Sequence, residues 1–304
     1  MDSHLDSPLV TRRRWFAISP MLGGLAVLPF RNAAAAPESK PLRAPETGSI
    51  PVAFAVSDGA VVIDFCGPWE VFQDVNLPSR KDTSPAFQLY TVAESTTPIT
   101  TSGGMKIIPS YTFENAPQPK IIVIPAQSGN PAMIRWIQKS FPGTDVTMSV
   151  CTGAFVLART GLLDGKSATT HHGAYNRFAM TFGSKIQLKR GARFVDNDQL
   201  ATAGGLSSGI DLALHVVERY YGREVASNTA VYMEYQGAGW KDGNAVANAA
   251  YVAPKSDSEC MVCRMALDKT AVNKSVFQGK TYYFCSRQCK DSFDASPESF
   301  VNQR

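Results

Sequence analysis

The sequence predicts an α/β fold, a parallel sheet sandwiched by helices, followed by a small cysteine-rich module. Three observations carry this. Strand-like and helix-like segments alternate from Ile50 to about residue 240, the pattern of parallel strands joined by crossover helices. "KIIVIPA", residues 120–126, is a continuous β-branched run, as a strand buried on both faces requires. Four of the six cysteines fall in the last 45 residues, where so short a segment needs a metal or cross-link to help it fold.

The chain has 304 residues, 44% of them apolar and 18% charged, enough for one large core or a medium one with a small one beside it. Its formal charge is +4, of which residues 1–35 supply +2. The remainder is nearly neutral, which argues against nucleic acid as a partner. "TRRRWFAISPMLGGLAVLPFRNAAAAP" places basic residues, an apolar run and small residues in the order of an export signal, assigned to 1–36. The alternative is a membrane anchor. Pro20, Pro29 and Arg31 cut the apolar stretch below the roughly 20 residues a span needs, which favours cleavage near Ala35 and no stable membrane span.

Residues 37–49, rich in Pro and polar side chains, read as a linker. From there "IPVAFAV" is strand, "PWEVFQDV" has helical spacing, and "FQLYTVA" is strand-like. "NPAMIRWIQKSF" is a helix with Asn130 as N-cap and Pro131 at its first position. "DVTMSV" is strand and "GAFVLARTG" helix. "QLATAG" precedes a helix through "SSGIDLALHVVERYYG", whose Ile210, Ala213, Leu214, Val217 and Tyr221 form one face and whose Gly222 is a stop signal. The α/β domain thus spans 50–240, a second linker 241–257, and the cysteine-rich module 258–304.

"MSVCTGAF", residues 148–155, sets Cys151 between a strand and a helix. In a parallel sheet, sites form at the carboxyl ends of strands. A sharp strand-to-helix turn presents its central residue, Gly153 permits tight packing, and a helix N-terminus stabilises a thiolate. A free cysteine is also a common inert core residue, and local sequence leaves both readings open.

"SVCTGAFVLARTGLLDGKSATTHH" resembles the ThiJ/PfpI superfamily, which has the class I glutamine amidotransferase-like fold with its flavodoxin-like parallel sheet. Within it, the isonitrile hydratase group and the N-terminal domains of some AraC-type regulators are most similar. "VIDFCGPWEVF" and "TAGGLSSGIDLALHVVERYYG" supply two further motifs, so the resemblance covers roughly residues 50–235. It implies Cys151 as nucleophile and Asp64 as an essential acid that handles protons; an N-cap role for Asp64 is the alternative. Thr152 follows the nucleophile where the peptidase-like branch has histidine, which argues against peptidase activity. His171 and His172 are candidates for a base; the resemblance implies instead that His171 belongs to a structural stretch after the nucleophile helix, as a packing or hydrogen-bonding residue. Gly204 and Gly205 are expected beside the substrate pocket.

Two departures stand out. The family usually has Pro-Gly-Gly after the central strand, where N–H groups help form an oxyanion hole. Here Ala126 and Gln127 replace both glycines, so glycine-only backbone angles would be strained and Gln127 is expected at the pocket mouth. Cys66 stands where the group commonly has threonine. It is either a buried small residue or a resolving thiol for Cys151.

The resemblance implies hydration of a small electrophilic substrate such as an isonitrile, with no cofactor in the α/β domain; as an enzyme the protein would be a hydro-lyase. The competing classes are a redox, electrophile or ligand sensor, and a periplasmic metal-handling protein. Family members often form homodimers. The arginines before Trp15 and Phe16 resemble a bacterial twin-arginine signal, which implies a periplasmic location and loading of any metal before export.

In the tail, "CMVCRM" and "FCSRQC" place Cys260, Cys263, Cys285 and Cys289 at spacings suited to Zn(II), or to Cu(I) if fewer bind. Two disulfides are the alternative. The segment resembles the YHS family of TRASH-like metal-binding modules through Val262-Cys263-Arg264-Met265 and Tyr282-Tyr283-Phe284-Cys285, then Cys289, Phe293 and Pro297. That core supplies three cysteines and leaves Cys260 as an additional candidate ligand.

Overall fold

The structure, a computed structural model, describes residues 39–78, 80–241, 260–262, 267 and 273–301. The expected export signal, nearly all of the 241–257 connection and Cys263 lie outside the described residues. The strands are β1 (Ile50–Ala55), β2 (Phe87–Ala93), β3 (Ile99–Thr100), β4 (Lys106–Ile107), β5 (Tyr111–Thr112), β6 (Ile121–Ile124), β7 (Val146–Ser149), β8 (Ser167–Ala168), β9 (Gln187–Leu188), β10 (Phe194–Asn197), β11 (Leu200–Ala203), β12 (Asn273–Phe277) and β13 (Lys280–Phe284). The helices are α1 (Val62–Gln73), α2 (Pro131–Ser140), α3 (Gly153–Arg159), α4 (Tyr175–Phe182), α5 (Ser208–Tyr232), α6 (Arg287–Ala295) and α7 (Glu298–Val301).

Seven strands form one sheet in the order β10-β11-β7-β6-β1-β2-β5. All neighbours are parallel except β10 and β11, which pair antiparallel. The continuous apolar run of β6 has a direct cause. Ile121 and Val123 enter the core on the α1 and α5 side, while Ile122 and Ile124 enter the one on the α2, α3 and α4 side. Alternate residues of a strand point to opposite faces, so a strand covered on both must be apolar throughout.

The local signals for the helices hold. Asn130 Oδ1 accepts the Met133 N–H at 2.8 Å, capping α2 with Pro131 at its first position. Gly222 interrupts α5 at φ +84, and a second helical run continues to Tyr232. Residues 39–42, read as part of a linker, instead lie along α5. Leu42 N–H donates to the Arg219 carbonyl at 2.7 Å, and Arg219 Nε donates to the Lys40 carbonyl at 3.0 Å.

The tail builds a hairpin, β12–β13, turned through Gln278 and Gly279 at positive φ, and a short helix, α6, capped by Ser286 Oγ on the Cys289 N–H. Its buried Val262, Tyr282, Phe284, Phe293 and Phe300 join the same apolar cluster as Phe178 and Ala179 of α4 and Leu188 of β9. The Arg190 guanidinium lies 4.9 Å from the Phe300 ring centre and 5.6 Å from that of Tyr175. The tail is therefore seated on the α4 side of the sheet rather than hung beside it.

Candidate active site

Cys151 sits between β7 and α3 at φ +58, a backbone conformation that a residue with a Cβ rarely adopts. Gly153 makes the turn possible. A Cβ there would lie 2.2 Å from the Ile124 carbonyl oxygen and 2.8 Å from that of Pro125, so α3 can start against the end of β6 only with glycine. The elbow is held on both sides. Cys151 N–H donates to the Gly204 carbonyl at 2.8 Å, and Thr170 Oγ1 donates to the Cys151 carbonyl at 2.8 Å. The backbone N–H groups of Thr152 and Leu206 are directed at the sulfur.

Asp64 belongs to the first turn of α1 and is fully buried. It is not the N-cap: that position is Val61, and the first helical N–H, of Val62, is satisfied by Ser102 Oγ at 3.0 Å. Asp64 Oδ2 accepts the Ala126 N–H at 3.1 Å, Oδ1 has no hydrogen bond of good geometry, and the carboxyl interacts with the Cys151 thiol. Burial pushes the Asp64 pKa up to about 6 against the pull of these donors. Burial, then the charge of Asp64, pushes Cys151 up to about 12, and the Thr152 and Leu206 N–H groups only partly offset this. The helix N-terminus alone therefore does not make Cys151 a resting thiolate. The neutral thiol faces a carboxylate able to take its proton.

The expected strain at the replaced glycines is absent. Among the described residues, the non-glycine positions at positive φ are Cys151, Asp198, Leu206, Glu234 and Gln278, and neither Ala126 nor Gln127 is one of them. The Ala126 N–H is spent on Asp64. Gln127 is pinned back to the end of β1: Nε2 donates to the Ala55 carbonyl and Oε1 accepts from Ser57 Oγ, both at 2.7 Å. It is a strut at this loop, not a free arm over the pocket. Gly204 N–H donates to the Arg193 carbonyl at 2.8 Å, while Gly205 lies under the His171 ring. Cys66 and Cys151 are both free thiols. Cys66 is two residues along α1 from Asp64, and that spacing turns it to a different face; its charged neighbour is the exposed Glu70. Leu206 was not legible as a site residue, although "GGLSSG" is a second strand-to-helix turn beside the first.

In the tail, the sulfurs of Cys260, Cys285 and Cys289 lie within 4.8 Å of one another, with Cys260 and Cys289 buried. Cys285 and Cys289 are 3.7 Å apart. A Zn–S bond of about 2.3 Å gives a tetrahedral S–S edge of about 3.8 Å, so this pair already has metal-site spacing. The donor set fits a thiophilic ion: three converging thiols suit Cu(I), and a fourth ligand would complete a zinc tetrahedron.

A thiol on a strand-to-helix turn, paired with a buried carboxyl in a flavodoxin-like sheet, defines a cysteine-centred α/β protein. The profile of the DJ-1/PfpI family matches residues 51–219 and that of the YHS domain residues 261–304. The chain belongs to the DJ-1/PfpI family and carries a C-terminal YHS domain. The isonitrile hydratase of Pseudomonas putida is 33% identical over 179 residues, covering 57% of this chain and 73% of that protein. The HTH-type transcriptional regulator CdhR of Pseudomonas aeruginosa is 27% identical over 134 residues, 42% of this chain and 39% of its own. A ThiJ/PfpI family protein of Pseudomonas syringae superposes with TM-score 0.55 at 24% identity, covering 68% of this chain and 84% of that one. Among the described residues no helix is long and apolar enough to cross a membrane.

Proposed function

We propose that the protein is a cysteine-dependent hydratase of small electrophilic molecules, of isonitrile hydratase type, exported with a thiolate-bound metal in its tail. The observation that carries the catalytic part is the buried Cys151–Asp64 pair beneath two N–H donors. As the Cys151 sulfur bonds to the isonitrile carbon, its proton passes to the Asp64 carboxylate and from there to that carbon, leaving a thioimidate. Water then adds to the same carbon while its proton moves to nitrogen. Collapse expels Cys151 as the leaving thiol and releases an N-substituted formamide. Thr152 and Leu206 N–H groups stabilise the sulfur as it gains and regains negative charge. Export rests on the arginine cluster and apolar run before residue 36. A bound metal would supply the tail with the cohesion its small core lacks; Cys260, Cys285 and Cys289 would hold it.

A metal-handling role is the second reading, favoured by the buried tail thiols. A thiolate-based redox sensor is disfavoured, because such thiols are low in pKa and Cys151 is pushed the other way. Steady-state turnover of alkyl isonitriles by the purified chain, with Cys151→Ala as control, is the test. Formamide release that vanishes in the variant is expected. No turnover by the parent protein across a panel of isonitriles would sink the hydratase reading and leave the metal one.

A further inference from the structure

One of the two donors to the Cys151 sulfur is not secured by its own residue. Leu206 sits at φ +54 with a side chain 44% exposed, and such a backbone persists only when its surroundings hold it. What lies against the residue before it, Gly205, is the ring of His171. A Cβ on Gly205 would be 2.2 Å from His171 Cδ2 and 3.1 Å from Nε2, so the ring presses on the residue before Leu206. The ring is itself fixed. His171 Nδ1 accepts the Gly173 N–H at 3.1 Å, its carbonyl accepts the Ala174 N–H at 2.8 Å, and its ring stacks on His172 at 4.3 Å. Burial and His172 hold its pKa below the usual histidine range, so it is neutral with Nε2 carrying the hydrogen. The preceding residue, Thr170, holds the Cys151 carbonyl from the other side.

We propose that His171 is a positioning residue: its ring, pressed on Gly205, keeps the Leu206 N–H on the Cys151 sulfur. This rests on Cys151 being the reactive thiol and adds the side chain that maintains its second donor. The need for glycine at 205 follows from the same contact. A methyl group there meets an aromatic ring held through Nδ1 by the Gly173 N–H, so it must displace either the ring or the Leu206 peptide.

The test is the alkylation rate of Cys151 by iodoacetamide in the full, metal-loaded chain, read site by site by peptide mass spectrometry from pH 8 to 11. Over that range Asp64, the charged group acting on the thiol among the described residues, stays ionised, so the profile reports the donors. His171→Ala is expected to slow alkylation about tenfold at every pH, one unit of pKa, and His171→Phe, which keeps a ring against Gly205 but loses the Nδ1 acceptor, to slow it clearly less. Gly205→Ala is expected to slow it similarly, and the double variant H171A/G205A to be no slower than H171A. An unchanged profile for H171A, or H171F as slow as H171A, would overturn the proposal. If H171A fails to fold, G205A with parental kinetics overturns it equally. Alkylation needs no isonitrile turnover, so a failed hydratase reading leaves this result readable.

Discussion

Between Asp64 and Cys151 the proton rests on sulfur at neutral pH. Burial, reinforced by the Asp64 charge, takes the thiol up to about 12, while the carboxyl at about 6 has already lost its own proton. The site is thus a thiol and a base waiting for an electrophile.

Replacing Asp64 by Asn separates nucleophile from base. The thiol loses the negative charge that raises its pKa, so iodoacetamide should label Cys151 several-fold faster. Hydratase turnover should fall by about 10²–10⁴, the usual weight of a positioned general base. Turnover at the parental rate would remove Asp64 from the chemistry.

The pH dependence has a definite sign. Asp64 is raised above its ordinary value, so it binds its proton more tightly in the folded state. That stabilising contribution is complete below about pH 4 and is lost as pH rises through about 6. Two units correspond to about 3 kcal/mol. Urea unfolding between pH 4 and 7 should show this term, and Asp64→Asn should abolish it. Turnover should rise over the same window as the carboxylate forms.

Gly153→Ala sets a methyl carbon 2.2 Å from a backbone oxygen, a collision that no side-chain rotation relieves. A loss of about 1–3 kcal/mol is expected from such overpacking, visible as a lower Tm together with altered Cys151 labelling. A stable variant with parental labelling would mean that the elbow is looser than its geometry states.

The tail should carry about one thiophilic ion per chain by elemental analysis, and chelation should melt the β12–β13 hairpin. Arg190 lies between Tyr175 and Phe300, and a desolvated stack of this kind contributes up to about 2 kcal/mol. Arg190→Ala should therefore keep the metal yet split one thermal transition into two. Metal-free protein whose tail cysteines map as disulfides would defeat the metal reading.

Peroxide should leave Cys66 and Cys151 unlinked, because Cys66 is two residues along α1 from Asp64 and that spacing does not place the two side chains on one face of the helix. Peptide mapping that recovers a Cys66–Cys151 cross-link would require α1 to unwind locally.

Much of the fold was legible because its signals are local. The two-faced burial of β6, the Asn130–Pro131 start of α2 and the break at Gly222 each follow from a few adjacent residues. The elbow at Cys151 was legible for the same reason, since strand, Gly153 and helix lie within eight residues. Leu206 and Thr170 were not, because each reaches Cys151 from 55 and 19 residues away along the chain and carries no chemical signature of its own. The hydrogen bonds of Gln127 were not legible either, because its partners, Ala55 and Ser57, lie at and just past the end of another strand.

The sequence by itself determined the alternation of strands and helices, the cysteine placed on a turn and the thiol-rich tail. These depend on periodicity, residue type and spacing, which act between neighbours. Only the tertiary structure decided that Cys151 is a protonated thiol beside an ionised Asp64, that Ala126 spends its N–H on that carboxylate, and that the tail is seated on α4 through Arg190 and Phe300. Desolvation and electrostatic coupling depend on what surrounds a group in space, and those surroundings are assembled from segments far apart in the chain.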